Sequence, residues 1–434
     1  MLYLAPEIYQ MKKNLRLSRD KLDHLRLNLF KAQIVNIYEN IPFYREFFKK
    51  QNLFPRDFNG LKDLKKLPIV TKEDIRDTPE MFLNVKMDQL KFFKSHTSGS
   101  TGEPFWSYFD KQCWLRKKYL SKLRARFACG MSIGEKVAVF ESEPVEKLEL
   151  LNKKRSIRDF FLHISYFSIF EDIEKGLEKL RLFKPQNVYG PPSYFFQLAQ
   201  LVKERNRPVF FLKRIYTSAE YLESPVRQFI QNVLQANVFD VYGSTEFKEI
   251  AWECEQHEGY HINEDDVICE ILNGKEPTRF GEEGDIVLTD LRNRAMPLIR
   301  YRIKDKGKYV AKSCSCGRTF TLMQPMAGRA SEYIRLPNGE RLSPYLLTTS
   351  IEKCKGLLQY QFIQTSRSDL TVNVIMEDKN NTAIFEEIKK ITTEITKGMM
   401  RVSIQEHQEI SVEENGKFRV VKNLLIEKET IPER

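Results

Sequence analysis

The chain has 434 residues, of which 41% are hydrophobic and 30% are charged. This length predicts two or three domains, and the composition is typical of a folded globular protein and excludes an intrinsically disordered one. The formal charge is +11, but the basic residues are spread along the chain without a zinc-finger, helix-turn-helix or RNA-recognition signature, so we expect no nucleic-acid partner.

Membrane and export signals are absent from the sequence pattern. The longest apolar runs fall far short of the roughly 18 residues of a membrane-spanning helix, so no membrane span is predicted. The first residues, Met1 to Glu7, lack a charged start followed by an apolar stretch, so we expect a cytoplasmic protein. The seven cysteines are an odd number, and disulfides are not expected in that compartment.

The N-terminal part reads as helical. Hydrophobic residues from 18 to 39 follow a helical spacing, which predicts an amphipathic helix that Pro42 ends. Thr71 and Asp74 then have the spacing of a capping box, which predicts the start of a second helix.

From about Phe92 onward, short apolar segments alternate with longer segments of helical period. The predicted strands are 137–140, 187–189, 214–217 and 237–241, and the predicted helices are 173–182, 193–203 and 225–234. This alternation predicts an α/β domain with a mainly parallel sheet.

The pattern changes near Val267. Strand-like runs at 267–272 and 285–289 with polar turns predict a β subdomain. The last hundred or so residues carry strand-like runs at 358–365 and 370–376 and a helical pattern over 382–396, which predicts a small α+β domain.

A loop rich in glycine and hydroxyl groups follows the first part of the chain. Residues 96–104 read His-Thr-Ser-Gly-Ser-Thr-Gly-Glu-Pro. Glycines let the backbone approach an anion closely, and the amides and hydroxyls can donate to phosphate oxygens. The Gly-Lys-Ser/Thr ending of a Walker loop is absent, so a P-loop NTPase is excluded. A flexible Ser/Gly turn is the alternative interpretation of this loop.

A second polar segment, Val-Tyr-Gly-Ser-Thr-Glu at 241–246, follows a predicted strand. An aromatic ring, a turn, two hydroxyls and a carboxylate in this order could stack a base, bind phosphate and hold a magnesium ion. Three further segments complete the set, at 297–305 (Pro-Leu-Ile-Arg-Tyr-Arg-Ile-Lys-Asp), 328–332 (Gly-Arg-Ala-Ser-Glu) and 415–419 (Asn-Gly-Lys-Phe-Arg).

These five segments, in this order, resemble the acyl-adenylate-forming superfamily of acyl-CoA synthetases, adenylation domains and luciferases. With Tyr-Gly-Pro-Pro-Ser at 189–193, they are most similar to the phenylacetate–coenzyme A ligase branch, which includes capsular-polysaccharide-associated relatives. The resemblance covers about residues 67–422. It implies an α/β fold with a large multi-subdomain N-terminal domain, residues 1–329, that begins with a helical segment to about residue 90. A small mobile α+β C-terminal domain, residues 330–434, would follow.

The resemblance also implies the residues that bind ATP. The Ser/Thr/Gly loop would hold the β- and γ-phosphates, Ser218 to Glu220 would contact adenine, Asp305 would bind the ribose hydroxyls and Arg329 would meet phosphate. In the second motif, Tyr242 would pack on adenine, and Thr245 and Glu246 would contact phosphate and Mg²⁺. The full set of implied ATP-binding residues is Thr97, Ser98, Gly99, Ser100, Thr101, Gly102, Ser218, Ala219, Glu220, Tyr242, Gly243, Ser244, Thr245, Asp305 and Arg329.

Lys417 matches the lysine that the family brings into the site for adenylation. Its ammonium would neutralise the charge that develops when a carboxylate attacks the α-phosphorus and pyrophosphate leaves. Lys417 and Glu246 are thus the predicted catalytic residues. Two positions depart from the family pattern, because Ser331 replaces the usual Asp or Lys at the domain pivot and Glu413-Glu414 replace basic residues before the lysine.

A zinc site is predicted from two cysteine-containing pairs. Cys254 and His257 form a Cys-x-x-His pair, and Cys314 and Cys316 form a Cys-x-Cys pair, which together supply four ligands for a structural zinc ion. Some members of the branch carry similar patterns. His261 is an alternative ligand, and unconnected small residues on two loops are the alternative to a site.

The resemblance implies an AMP-forming acid–thiol ligase that activates a carboxylic acid with ATP and Mg²⁺ and transfers the acyl group to coenzyme A. Transfer to a phosphopantetheine carrier protein or to an amine, and a non-catalytic protein of this fold, are the alternatives. Tyr189, Tyr194 and Phe195 either line the acid pocket or pack a helix. Neither the acid nor an oligomeric state is predicted.

Overall fold

The protein is described by a computed structural model that covers residues 5–96, 105–153, 163–209, 211–329, 333–342, 344–351, 354–377, 382–413 and 418–425. Its α-helices are α1 Ala5–Asn14, α2 Arg19–Asn40, α3 Pro42–Lys50, α4 Lys72–Asp77, α5 Lys111–Leu115, α6 Ser121–Ala128, α7 Val145–Lys153, α8 Ile173–Phe183, α9 Pro192–Glu204, α10 Ser224–Leu234, α11 Pro344–Ile351 and α12 Thr382–Ile395. Its strands are β1 Phe93–His96, β2 Trp106–Phe109, β3 Val137–Glu141, β4 Ile164–Ser168, β5 Asn187–Gly190, β6 Arg214–Ser218, β7 Asn237–Ser244, β8 Lys248–Glu253, β9 Tyr260–Ile262, β10 Val267–Asn273, β11 Glu276–Pro277, β12 Gly284–Asp290, β13 Tyr301–Tyr309, β14 Leu322–Arg329, β15 Ile334–Arg335, β16 Arg341–Leu342, β17 Leu357–Gln364, β18 Asp369–Met376, β19 Arg401–Glu406 and β20 Val421–Asn423.

Most predicted elements are present with closely similar limits, since helices α2, α8, α9, α10 and α12 and strands β3, β5, β6, β7, β10, β12, β17 and β18 lie where the periodicity placed them. The capping box at α4 is also present, with the Asp74 amide donating to the Thr71 hydroxyl. Pro42 does follow the end of α2, but it also opens α3, because a proline at the first helical position lacks only an N–H that would have no partner there.

The chain divides into two compact units. The first comprises residues 1–131 and 241–325. Its strands lie in the order β11-β10-β12-β13-β14-β9-β8, followed by the residues of β7 from Val241 onward. The paired strands β10/β12, β12/β13, β9/β14, β8/β9 and β7/β8 are antiparallel. A separate hairpin of β1 and β2 belongs to the same unit. The β subdomain predicted near Val267 is therefore part of a larger antiparallel assembly.

The second unit comprises residues 132–240 and 326–434. Its strands β4-β3-β5-β6 lie in that order, followed by residues 237–240 of β7, and β3/β4, β3/β5 and β5/β6 are parallel. The crossover connections between these strands include helices α7 to α10. Strands covered by such helices are buried, which explains the apolar runs that made them visible in the sequence.

The C-terminal segment forms its own four-stranded sheet in the order β19-β18-β17-β20. Strands β17 and β18 are antiparallel, whereas β17/β20 and β18/β19 are parallel. One hydrophobic cluster of the second unit joins this sheet to α9 and α10, with Val226, Phe229, Tyr360 and Phe362 among its members.

The predicted fold class is confirmed, with a parallel α/β sheet and a separate small C-terminal α/β domain. The boundary between residues 329 and 330 and the mobility of the C-terminal domain stay predictions. Within the described ranges, no helix combines the length and the apolar character needed to cross a membrane.

Candidate functional site

Two hydrogen-bonded pairs bring together the predicted residues of the first unit. The Tyr242 hydroxyl donates to the Asp305 carboxylate over 2.9 Å, and the Tyr301 hydroxyl donates to the Glu246 carboxylate over 3.2 Å. Tyr301 and Asp305 both lie on β13. Strand β13 therefore meets the end of β7 through both pairs, and two motifs about sixty residues apart in sequence form one polar site.

Irregular backbone conformations in β7 and β13 orient these side chains. A Cβ atom on Gly243 would lie 2.4 Å from the Lys248 carbonyl oxygen, so the turn between β7 and β8 needs glycine there. On β13, the pairing with β12 shifts register between Asp285 and Val287, and Lys304 has φ 69°. Such a bulge turns the neighbouring side chains, and here it places Asp305 next to Tyr242.

Ser244 and Arg300, two residues of the sequence motifs, make hydrogen bonds within the protein. The Ser244 hydroxyl accepts the Phe247 amide over 3.1 Å and closes the turn. Arg300 makes two hydrogen bonds to the Glu270 carboxylate, of 3.0 and 2.9 Å, and one of 3.0 Å to the Leu67 carbonyl. The arginine of the third motif thus holds the chain before α4 against the antiparallel strands.

Lys248 is a residue of this region that the sequence analysis missed. Its ammonium donates to the Ser95 hydroxyl over 2.6 Å and lies 5.3 and 5.4 Å from the ring centroids of Phe109 and Trp114. Among the described residues it makes no ion pair. A lysine two residues after the Tyr-Gly-Ser-Thr-Glu motif was the available signal. The contact ties Ser95, on β1, to a residue two positions after Glu246.

Lys248 is expected to make stability depend on pH. Burial, together with the charges of Lys122 and Lys118, lowers the pKa of Lys248 from 10.5 to about 7. Between these values the unfolded chain binds one more proton than the folded chain, so the free energy of unfolding rises with pH. We expect wild type to gain stability relative to Lys248→Met as the pH increases above about 7, measured by urea unfolding.

Lys248→Arg is the matched control, because its guanidinium stays charged throughout this range and adds no such pH dependence. If the difference in the free energy of unfolding between wild type and Lys248→Met did not change with pH, the lowered pKa of Lys248 would be contradicted.

The second unit holds the segment Ser218-Ala219-Glu220, where β6 ends. Ala219 has φ 78°, a left-handed conformation that costs an alanine about 1 kcal/mol or more. The Glu220 carboxylate accepts the Ser193 amide over 3.0 Å, the Ser193 hydroxyl over 2.9 Å and the Phe418 amide over 2.7 Å. Its side chain is therefore occupied by the protein, and its predicted contact with adenine stays a prediction.

Two of the three aromatics considered for the acid pocket lie in the core. Tyr194 and Phe195 are 4% and 0% exposed and pack on Phe140, with ring centroids 4.4 and 5.7 Å away. Tyr189 is half-buried on β5. Burial raises the pKa of the Tyr194 hydroxyl, which has no hydrogen-bond partner among the described residues. Helix packing therefore accounts for Tyr194 and Phe195.

Several predicted site residues are not part of the contacts described above. The loop Thr97 to Gly102 and the catalytic Lys417 lie outside the described residues, as does the pivot Ser331. Arg329 ends β14, but its side chain is not described. Thr245 lies half-buried in the turn before β8. Their roles stay predictions.

A cluster of four potential zinc ligands lies in the first unit. Cys254 follows β8, His261 lies on β9, and Cys314 and Cys316 lie between β13 and β14. Their ligand atoms all lie within 4.8 Å of one another, with 3.5 Å between the Sγ atoms of Cys254 and Cys314 and 3.4 Å between Cys316 Sγ and His261 Nε2. Tetrahedral zinc separates its sulfur and nitrogen ligands by about 3.3 to 3.8 Å, so the donor set fits zinc.

The histidine of this cluster is His261, the alternative ligand, and not His257. His257 is instead 3.5 Å from the Glu253 carboxylate and has a side chain that is 38% exposed. His261 Nδ1 faces the Phe320 carbonyl at 3.2 Å, the arrangement that orients a metal-binding imidazole. Burial lowers the pKa of His261 to about 4, which leaves the ring neutral and Nε2 available to a metal.

Comparisons with known proteins give a consistent result. Residues 334–424 match the family described as the CapK C-terminal domain. The phenylacetate-coenzyme A ligase of Escherichia coli (strain K12) is 26% identical over 396 residues, which cover 85% of this chain and 86% of the relative. That of Thermus thermophilus is 27% identical over 331 residues, covering 73% of this chain and 72% of the relative.

Solved structures show the same likeness at the level of the fold. The crystal structure of 2-hydroxyisobutyryl-CoA ligase in complex with 2-HIB-AMP superposes with a TM-score of 0.79 at 19% identity, and covers 96% of this chain and 94% of that one. Together the comparisons confirm the family resemblance that the motifs predicted, and with it the predicted enzyme class.

Proposed function

We propose that this chain, which belongs to the adenylate-forming superfamily, activates a carboxylic acid with ATP and transfers the acyl group to the thiol of coenzyme A. The observation that carries the proposal is the hydrogen bond between Tyr242 and Asp305, which joins the second and third motifs into one site. Relatives that match along most of their length and are named coenzyme A ligases support the thiol as acceptor.

The chemistry of this pair suits an adenosine. An aromatic ring offers a face for stacking a base, and a carboxylate accepts from the two hydroxyls of a ribose. The hydrogen bond from Tyr242 holds the Asp305 carboxylate beside the ring of Tyr242, so one site offers both groups. We assign Tyr242 to the adenine and Asp305 to the ribose of ATP.

Glu246 would hold Mg²⁺ at the phosphates. Mg²⁺ prefers carboxylate oxygens, and Glu246 is a buried carboxylate that the Tyr301 hydroxyl orients through one oxygen. The ion would supply charge neutralisation for the departing pyrophosphate. The Cys254, His261, Cys314 and Cys316 cluster would hold a structural zinc ion, since its four ligands leave no open position for chemistry.

Exchange of labelled pyrophosphate into ATP tests the first half of this function. Over a panel of aryl, short-chain, hydroxy and amino acids, we expect exchange with one class of acid. Asp305→Ala should lower the rate at limiting ATP by about 10- to 100-fold, because it removes a hydrogen-bond acceptor that is charged. Asp285→Ala, a carboxylate on β12 that pairs with Lys306, is the matched control with unchanged exchange.

The acceptor is tested by measuring AMP release with and without coenzyme A. Stimulation by coenzyme A supports the thioester product. Stimulation only by an amine or by a phosphopantetheine carrier protein would replace coenzyme A as the acceptor. No exchange with any acid and no release of AMP would favour a non-catalytic protein of this fold.

A further inference from the structure

The Glu220 carboxylate joins two distant parts of the second unit. It accepts from Ser193, in the first turn of α9, through both the amide and the hydroxyl, and from the amide of Phe418 over 2.7 Å. Phe418 directly follows Lys417 in the sequence and is 8% exposed. One side chain at the end of β6 therefore fixes the backbone next to the predicted catalytic lysine.

We propose that Glu220 is a positioning residue that holds the chain at Phe418 in the arrangement required for adenylation. This inference rests on the proposed function for its catalytic consequence. A carboxylate is an acceptor only, and hydrogen bonds from amides to an ionised carboxylate are about twice as strong as neutral ones. Among the described residues, Glu220 is the acceptor for the Phe418 amide, and a folded chain avoids leaving a buried amide unpaired.

The backbone before Glu220 supports a positioning role. Ala219 is held at φ 78°, a conformation that persists only where the surroundings impose it and that is concentrated at functional sites. Ser193, whose amide and hydroxyl donate to the two oxygens of this carboxylate, is 6% exposed. Glu220 is thus oriented by a strained residue before it and by α9, and the Phe418 amide is the group that it in turn positions.

Packing of the C-terminal segment does not depend on this carboxylate. The apolar side chains of Val421 and Phe362 lie in the hydrophobic cluster shared with α10. On the surface, Gln197 of α9 donates to Glu409 over 2.8 Å. Loss of Glu220 should therefore release one point of the backbone and leave the sheet docked.

Two readouts test this role in the full chain. In Glu220→Ala, hydrogen–deuterium exchange should increase in peptides that contain the Phe418 to Val421 amides and stay unchanged in β17 and β18. Adenylation should fall by about 10- to 100-fold, the effect of losing hydrogen bonds to a charged group, while acyl transfer from supplied acyl-adenylate keeps its rate. Glu220→Gln, which keeps one acceptor oxygen, should restore part of the adenylation rate.

Gln197→Ala is the matched control, because it removes another contact between α9 and the C-terminal segment, and both readouts should match wild type. Equal losses in the two half-reactions of Glu220→Ala, or unchanged exchange at Phe418 to Val421, would overturn the positioning role. If wild type adenylates no acid but the Glu220→Ala peptides still exchange faster, the proposed function fails while the contact with Phe418 stands.

Discussion

Lys417→Ala is expected to reduce acyl-adenylate formation by about 100- to 1,000-fold, the cost of removing a group that stabilises charge in a transition state. When the acid carboxylate attacks the α-phosphorus, negative charge develops on the bridging and leaving oxygens. A lysine ammonium neutralises that charge, and alanine cannot. In transfer from supplied acyl-adenylate the thiol attacks the acyl carbon and AMP leaves, so charge develops on the acyl oxygen and on AMP and not on pyrophosphate, and this step should keep its rate. Pyrophosphate exchange and thioester formation measure the two steps separately.

The control for Lys417→Ala is Lys422→Ala, which removes a nearby lysine on β20 and should leave both half-reactions unchanged. An equal loss of the two half-reactions in Lys417→Ala would contradict a role confined to adenylation. The pair of variants also separates a lost catalytic charge from a general loss of positive charge near the C-terminus.

The purified protein is expected to contain about one zinc ion per chain, and removing the ion should destabilise the first unit by more than about 4 kcal/mol. The ion would join Cys254, which follows β8, and His261, which lies on β9, to Cys314 and Cys316. Both of these cysteines lie in the connection after β13. Without zinc, three thiols and an imidazole lie together in a largely buried cluster. Elemental analysis gives the zinc content, and denaturant unfolding before and after chelation gives the stability.

Two histidine variants identify the fourth ligand. We expect His261→Ala to lose the metal, since its Nε2 lies 3.4 Å from Cys316 Sγ. His257→Ala should retain it, because that imidazole faces the Glu253 carboxylate. Cys354→Ser is the control for replacing a buried cysteine outside the cluster, and it should keep its zinc. Full zinc content in His261→Ala would contradict the assigned ligand set.

The periodicity of the sequence was enough to locate five helices and eight strands. Buried parallel strands such as β3 and β5 are short apolar runs, and amphipathic helices such as α8 show a regular spacing of apolar residues, so both are visible in local sequence. The hairpin of β1 and β2 and the strand β13 were among the elements that the sequence analysis did not predict. Their burial alternates irregularly, and pairing with a distant strand rather than local preference defines them.

The sequence by itself determined the fold class, the order of the five motifs and the identity of the chemical groups: an aromatic ring, carboxylates, and cysteines with histidines. The tertiary structure decided which of these groups meet. It paired Tyr242 with Asp305, supplied Tyr301 as the partner of Glu246, selected His261 over His257 and joined Glu220 to Phe418. Motif spacing reflects local backbone geometry, whereas these contacts join residues that are mostly far apart in sequence. They depend on strand register, bulges and turns that no short segment encodes alone.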